Sequence, residues 1–378
     1  METYDEFLRW AQAGGVELNG IAPRSLPGRG IGVVVTKPIK AKELILKVPT
    51  SALRTIETVR PKIKKALPKG TKVHAILAAE LALDKPASKY SLWNAVLPSR
   101  DSVSTSMPLA WDTALHPYLP KAALALLRKQ QAKFSRDWAA VQQQAAALDP
   151  SLTRQDYLYA WLLVNTRTFY HETPRTAKLP RDDRMIMQPV ADLFNHTDAG
   201  CDVAFGPDSY TVTADRAYGA GEEVHICYGK HSNDFLLVEY GFVLAENQWD
   251  EVCLDDAVLP ELSGEQKERL EERGFLGNYV LDAKTVCYRT QVALRLLCVP
   301  VGQWERLVFE GEDGGEVLQE KVDRLLVKVL RKYRGIVDRT VQELEDLEDD
   351  HPDQTELLRT RWQQIHKVID QTIDRLEA

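Results

Sequence analysis

The chain has 378 residues, 44% of them hydrophobic and 27% charged, which is the balance of a folded globular protein and excludes a disordered or fibrous one. That length exceeds what one core usually fills, so two domains are expected. A formal net charge of -7 excludes nucleic-acid binding by bulk electrostatics and favours a basic protein partner.

In chain order, Tyr4, Phe7, Leu8 and Ala11 share one helical face, and Gly14-Gly15 ends that helix. The Gly-rich turn Pro27-Gly28-Arg29-Gly30-Ile31-Gly32 leads into the β-branched run Val33 to Thr36, a strand, with a second strand over Leu44 to Val48. From about Val73 to Tyr170 the pattern is helical, with Ala-rich stretches at Ala122 to Leu127 and Ala139 to Leu148. A second β-rich block runs from Gln188 to Tyr228. There Tyr210, Val212 and Ala214 alternate with polar neighbours, Gly219-Ala220-Gly221 turns, and Val224 to Tyr228 is a further strand. Beyond about Trp249 the spacing is helical: Ser263 and Gln266 form a capping box, and two apolar stripes run through Val322 to Tyr333 and Leu358 to Leu376. Between the stripes, Glu343 to Asp353 is densely acidic and reads as a loop or a frayed helix end. The expected class is α+β. A β-rich domain over 1–248, interrupted by a helical insertion at about 73–180, precedes an all-helical C-terminal domain over 249–378.

Cys201, Cys227, Cys253, Cys287 and Cys298 form no Cys-x-x-Cys pair, so zinc-ribbon and redox spacings are excluded and each reads as a small buried hydrophobe in a reducing compartment. The early acidic residues Glu2, Asp5 and Glu6 argue against a secretory signal or transit peptide, and no apolar run approaches the roughly 20 residues that span a bilayer. The expectation is a cytoplasmic or nuclear monomer that needs neither metal nor membrane.

Four separated segments carry candidate chemistry. In Arg29-Gly30-Ile31-Gly32, glycines let the backbone approach a ligand or adopt positive φ, although a structural turn accounts for the segment taken alone. No helix follows at the distance a dinucleotide fingerprint requires. In Asn165-Thr166-Arg167-Thr168-Phe169, the arginine could pair with a ligand carboxylate or simply face solvent. Asp192-Leu193-Phe194-Asn195-His196 could be a turn and cap. Glu222 to Gly229, followed by Glu239-Tyr240-Gly241-Phe242, places aromatic residues that could be core.

The order of these segments resembles the SET domain of protein methyltransferases: a Gly-x-Gly turn, an Asn-His pair, then a strand ending in tyrosine. It is most similar to the branch with a helical insertion and a helical substrate-binding domain, which includes Rubisco large-subunit, ribosomal-protein and actin-histidine methyltransferases. The resemblance covers roughly residues 20 to 245 by motif and the remainder by architecture. It implies S-adenosylmethionine as cofactor and Tyr228 as the catalytic tyrosine, itself near the cofactor. Arg29, Gly30 and Ile31 would offer backbone groups to the cofactor, and Arg167 would meet its methionine end. Asn195 and His196 would hold its amino group and adenine, and Phe242 would stack on adenine. Phe169, Asp192 and Tyr240 would line the lysine channel. Relatives often carry glutamate where this chain has Arg29, a change that a backbone contact tolerates.

Three readings stand. The first is a protein-lysine methyltransferase acting on a non-histone protein. The second is a histidine methyltransferase of the same fold, against which Phe169 speaks, because histidine-methylating relatives carry asparagine there. The third is a catalytically silent binding module, against which Asn195, His196 and Tyr228 speak together. A basic ribosomal protein or translation factor, recognised through the helical region after about residue 250, is the expected substrate, because opposite charge steers encounter.

Overall fold

The computed structural model describes residues 2–172, 176–282, 284–309, 315–345, 347 and 351–378. They form two compact units. The first comprises Met1–Ala110, Arg128–Lys230 and Glu239–Gly241; the second comprises Trp111–Leu127, His231–Val238 and Phe242–Ala378.

The first unit is built on seven strands: β1 (Glu17–Leu18), β2 (Ile21–Leu26), β3 (Gly30–Val35), β4 (Leu44–Pro49), then, after a hairpin of β5 (Thr168–Tyr170) and β6 (Met185–Met187), β7 (Asn195–Phe205), β8 (Ser209–Thr213) and β9 (Glu223–Ile226). The sheet order is β1-β4-β8-β7-β9-β3-β2. Its core follows from side-chain period. In β8, Tyr210 and Val212 are buried while Ser209, Thr211 and Thr213 are not, so one face carries the apolar set. In β3, Val33, Val34 and Val35 are all buried, as in a strand covered on both faces. Most pairings are antiparallel, but β7 runs parallel to β9, with Asn195 opposite His225 and His196 opposite Ile226. The chain therefore leaves the start of β7 and the end of β9 in one neighbourhood. Strand β9 stops at Ile226, so Cys227 and Tyr228 lie just past it.

The insertion is helical, and two of its helices bury their apolar runs. In the Val73–Ala82 helix, Ala75, Leu77, Ala78 and Ala79 are fully buried; in the Arg154–Arg167 helix, so are Trp161 to Val164. The second of these begins in a capping box, Thr153 with Asp156, and ends at Arg167, directly before β5. The Ala-rich stretch expected over 139–148 is two helices, Lys121–Gln142 and Ala145–Leu148. They separate where Gln144 N–H turns back to Val141 O in a tightened final turn.

Among the described residues, the second unit is helical apart from one short ribbon of β10 (Glu251–Cys253) and β11 (Val280–Asp282), whose three-residue strands are too short to show a period in the sequence. Ser263 and Gln266 cap the Gly264–Glu272 helix as expected. Two long helices, Gly315–Glu345 and Pro352–Glu377, pack together through the predicted stripes, with Val322, Val329 and Leu330 buried against Leu358, Ile365 and Ile369. Of the acidic stretch, Glu343–Glu345 completes one long helix and Pro352-Asp353 opens the other, while residues 346 and 348–350 lie outside the described residues. Among the described residues, no helix is long and apolar enough to cross a membrane.

Candidate active site

The parallel pairing of β7 with β9 assembles the site. Tyr228 donates its backbone N–H to His196 Nδ1 at 3.0 Å and its hydroxyl to the carbonyl of Phe194. The His196 and Tyr228 rings stack at 4.9 Å, and Tyr240 lies against Tyr228 at 5.1 Å. Burial holds the Tyr228 phenol well above its usual range, against the pull of Arg167. It is therefore a neutral hydroxyl at physiological pH, able to accept one hydrogen bond while donating another, and it is not a base.

Behind it lies an unsatisfied pair of charged groups. Asp192 is buried; Trp93 Nε1 donates to its Oδ2 at 2.8 Å, while Oδ1 has no partner. Burial pushes its carboxyl up to about 7, opposed by Arg167 and by the Trp93 bond. Arg167, last residue of its helix, sits where the helix dipole favours a cation, and its buried Nε also has no partner. An unpaired buried polar atom costs about 1–3 kcal/mol, so such atoms mark places where something else completes the bonding.

The Gly-x-Gly turn closes the other side. Gly30 has φ +68 with open space beside it, as a backbone that meets a ligand requires. Gly32 is needed for a different reason: an added Cβ would fall 2.5 Å from Glu223 Oε1 and 2.9 Å from Asn195 Nδ2. Its close approach is to the protein's own Asn195–Glu223 pair, joined by a 2.7 Å hydrogen bond. Arg29 reaches the same carboxylate at 2.5 Å, and His225 Nε2 lies 3.4 Å away. Arg29 thus faces a carboxylate, where a glutamate at the same position would meet like charge.

Each predicted site residue has its place. Arg29, Gly30 and Ile31 form the turn and first residues of β3, tied to Asn195 through Glu223. His196 and Tyr240 lie against Tyr228, Asn195 precedes His196 and is bonded to Glu223, and the charges of Arg167 and Asp192 act on Tyr228. Phe169, on β5, packs edge-on against Tyr210 at 5.5 Å. Phe242 belongs to the second unit, where its N–H reaches Leu236 O at 3.5 Å. Sequence reasoning missed Glu223 and Trp93. Glu223 stood in the quoted Glu222-Glu223 pair, and strand period distinguishes the two. Trp93 lies 99 residues before Asp192, beyond any local signal.

These residues fit S-adenosylmethionine. Arg167 Nε is a buried donor without a partner, which a ligand carboxylate would satisfy, and the turn at Gly30 has open space beside its backbone.

Comparison with known proteins agrees with this geometry. The SET domain family model matches residues 30–229, and that of the ribosomal lysine N-methyltransferase 2 C-terminal domain matches residues 250–375. SET domain-containing protein 4 of Homo sapiens is 25% identical, over 99% of this chain and 91% of that protein. Ribosomal lysine N-methyltransferase 2 of Saccharomyces cerevisiae is 24% identical, over 69% of this chain and 64% of that one. An actin-histidine N-methyltransferase of Otolemur garnettii is 24% identical, over 66% and 44% respectively. The structure of Rubisco LSMT bound to sinefungin and monomethyllysine aligns over 100% of this chain and 93% of that one, with a TM-score of 0.66 at 18% identity, which establishes a shared fold. With a SET domain matched over more than half of its length, the chain belongs to the SET-domain family.

Proposed function

We propose that this protein is a lysine N-methyltransferase that uses S-adenosylmethionine and acts on a basic protein of the cytoplasmic translation apparatus. The observation that carries the reading is the convergence on Tyr228: a neutral hydroxyl anchored to the Phe194 carbonyl, beside the open atoms of Arg167 and Asp192. When bound, the cofactor supplies an electrophilic methyl group. The chain's own residues position the acceptor, which is where most of the acceleration of an in-line displacement originates. The attacking lysine must be neutral, which costs roughly 4–5 kcal/mol at pH 7 from a pKa of about 10.4. Burial beside a cationic cofactor disfavours the ammonium and reduces that cost. The Tyr228 oxygen, its own proton committed to Phe194, accepts from the amine and directs its lone pair.

Lysine is favoured over histidine by Phe169, an aromatic wall with no hydrogen-bonding group for an imidazole. A ribosomal protein or translation factor is favoured by the formal charge of -7 and by the family model matched at 250–375. The test is to incubate the full chain with labelled S-adenosylmethionine and total ribosomal protein, then hydrolyse the labelled bands. Labelled methyllysine on a basic protein is expected. Labelled methylhistidine would move the assignment to the second reading, and cofactor binding without any labelled product would leave a binding module.

A further inference from the structure

The helix that ends at Tyr240 has carbonyls in its last turn that its own backbone cannot satisfy. One of them is held from another helix. Asn165, in the last turn of the Arg154–Arg167 helix, donates Nδ2 to the Glu239 carbonyl at 3.1 Å and to Glu239 Oε2 at 2.8 Å. Gln130, buried, adds its Nε2 to the same Oε2 at 3.0 Å. Glu239 is thus fixed at both main chain and side chain, and bonds to its carboxylate are charge-assisted and therefore strong. The next residue is Tyr240, whose ring lies 5.1 Å from that of Tyr228, inclined by 42°. Asn165 stands two residues before Arg167, so one helix end fixes both the arginine and the neighbour of Tyr240.

We propose that Asn165 and Gln130 are positioning residues that clamp Glu239, set the place of the Tyr240 ring beside Tyr228, and so decide how many methyl groups the target lysine accepts. This rests on the lysine-methyltransferase reading. The room around a lysine nitrogen is measured in single methyl groups, so a ring free to shift by a fraction of its width admits a bulkier amine. A bond that merely capped the helix would alter stability and leave the methyl count alone.

The experiment compares the full chain with Asn165→Leu, Glu239→Ala and Glu239→Gln. Gln keeps one oxygen for both amide donors and serves as the conservative rescue. Each variant methylates total ribosomal protein with labelled S-adenosylmethionine, and the hydrolysate is resolved into mono-, di- and trimethyllysine. Asn165→Leu and Glu239→Ala, each of which removes two hydrogen bonds of the clamp, change the ratio of methyl states by at least about tenfold. Their cofactor Kd stays at the wild-type value, and Glu239→Gln restores the ratio. In parallel, fluorotyrosine placed at position 240 gives a fluorine resonance that shifts or broadens in Asn165→Leu and recovers in Glu239→Gln. An unchanged ratio in both folded disrupting variants overturns the proposal, and so does an unchanged fluorine signal. If Asn165→Leu fails to fold, Glu239→Ala decides. A wild-type chain that produces no methyllysine sinks the parent reading and the methyl count with it, while the fluorine signal still shows whether the clamp exists.

Discussion

The two units each bury a cluster of charges, and they treat it in opposite ways. In the second unit Arg361 is fully buried, and each of its nitrogens has a partner: Nε on Asp234 Oδ1 at 2.7 Å, Nη1 on Asp250 Oδ2 at 2.7 Å and Nη2 on the Glu251 carbonyl at 3.0 Å. In the first unit Arg167 and Asp192 are each left with an open buried atom. A completed cluster holds its own unit together; an incomplete one carries a structural cost that a bound ligand would offset. An orphaned atom alone does not mark a site, since the Nε of buried Arg54 also has no partner. What separates Arg167 and Asp192 is that both act on Tyr228, a hydroxyl with an acceptor face to offer.

The largest expected effect breaks the completed cluster. Arg361→Ala leaves Asp234 and Asp250 with uncompensated buried charge and should cost about 3–5 kcal/mol, read as a drop in the denaturant midpoint. A loss under about 1 kcal/mol, the size of a surface pair, would show the cluster to be dispensable. The next effect belongs to the open cluster. Tyr228→Phe removes one hydroxyl without opening a cavity and should lower kcat by about 10²–10³ with the cofactor Kd unchanged. Normal turnover in that variant would mean that another tyrosine does the work, and Tyr240 is the neighbour to test.

The contrast also explains how much the sequence revealed. Strands β3, β4 and β8 were legible because each is a run of β-branched or alternating residues, and the two long C-terminal helices because their stripes repeat over many turns. The site motifs were legible only as an ordered set, since Asn195-His196 alone reads as a turn and cap and Tyr228 as core. Their mutual placement was not: it depends on a parallel pairing of β7 with β9 that no local pattern encodes. Both buried clusters were likewise hidden. Arg361 lies 127 residues from Asp234, and in the sequence it is one more arginine in an amphipathic helix. Trp93 and Asp192 are 99 residues apart, so the partner that constrains the carboxyl is visible only once the insertion is folded. Gly32 shows the reverse error: its residue type was informative, but the close approach it permits is to Asn195 and Glu223.

A smaller effect sharpens the comparison at the edge of the open site. Asn195→Ala leaves Glu223 with one fewer donor and should weaken cofactor binding by about 1–3 kcal/mol, measured by calorimetry on folded protein. The Kd would stay constant if Arg29 alone sufficed to hold Glu223.

The last effect is a slope rather than a loss, and it tests whether Asp192 is as poorly compensated as its open oxygen implies. Burial raises its carboxyl from an ordinary value of 3.8 to about 7, so between those two values the folded chain holds a proton that the unfolded chain has released. Stability rises with pH wherever the unfolded state binds more protons; here the folded state binds more, so the sign is negative. The contribution of Asp192 is fully present below about pH 4 and is lost as pH rises through about 7. Asp192→Asn keeps the shape and can still accept from Trp93 Nε1, but it cannot ionise. The difference in unfolding free energy between wild type and this variant should therefore fall steadily from pH 4 to 7, measured by denaturant titration without cofactor, and flatten above. A difference independent of pH would show that Asp192 is compensated after all, with Arg167 and Trp93 sufficient to hold its charge as Asp234 and Asp250 hold that of Arg361.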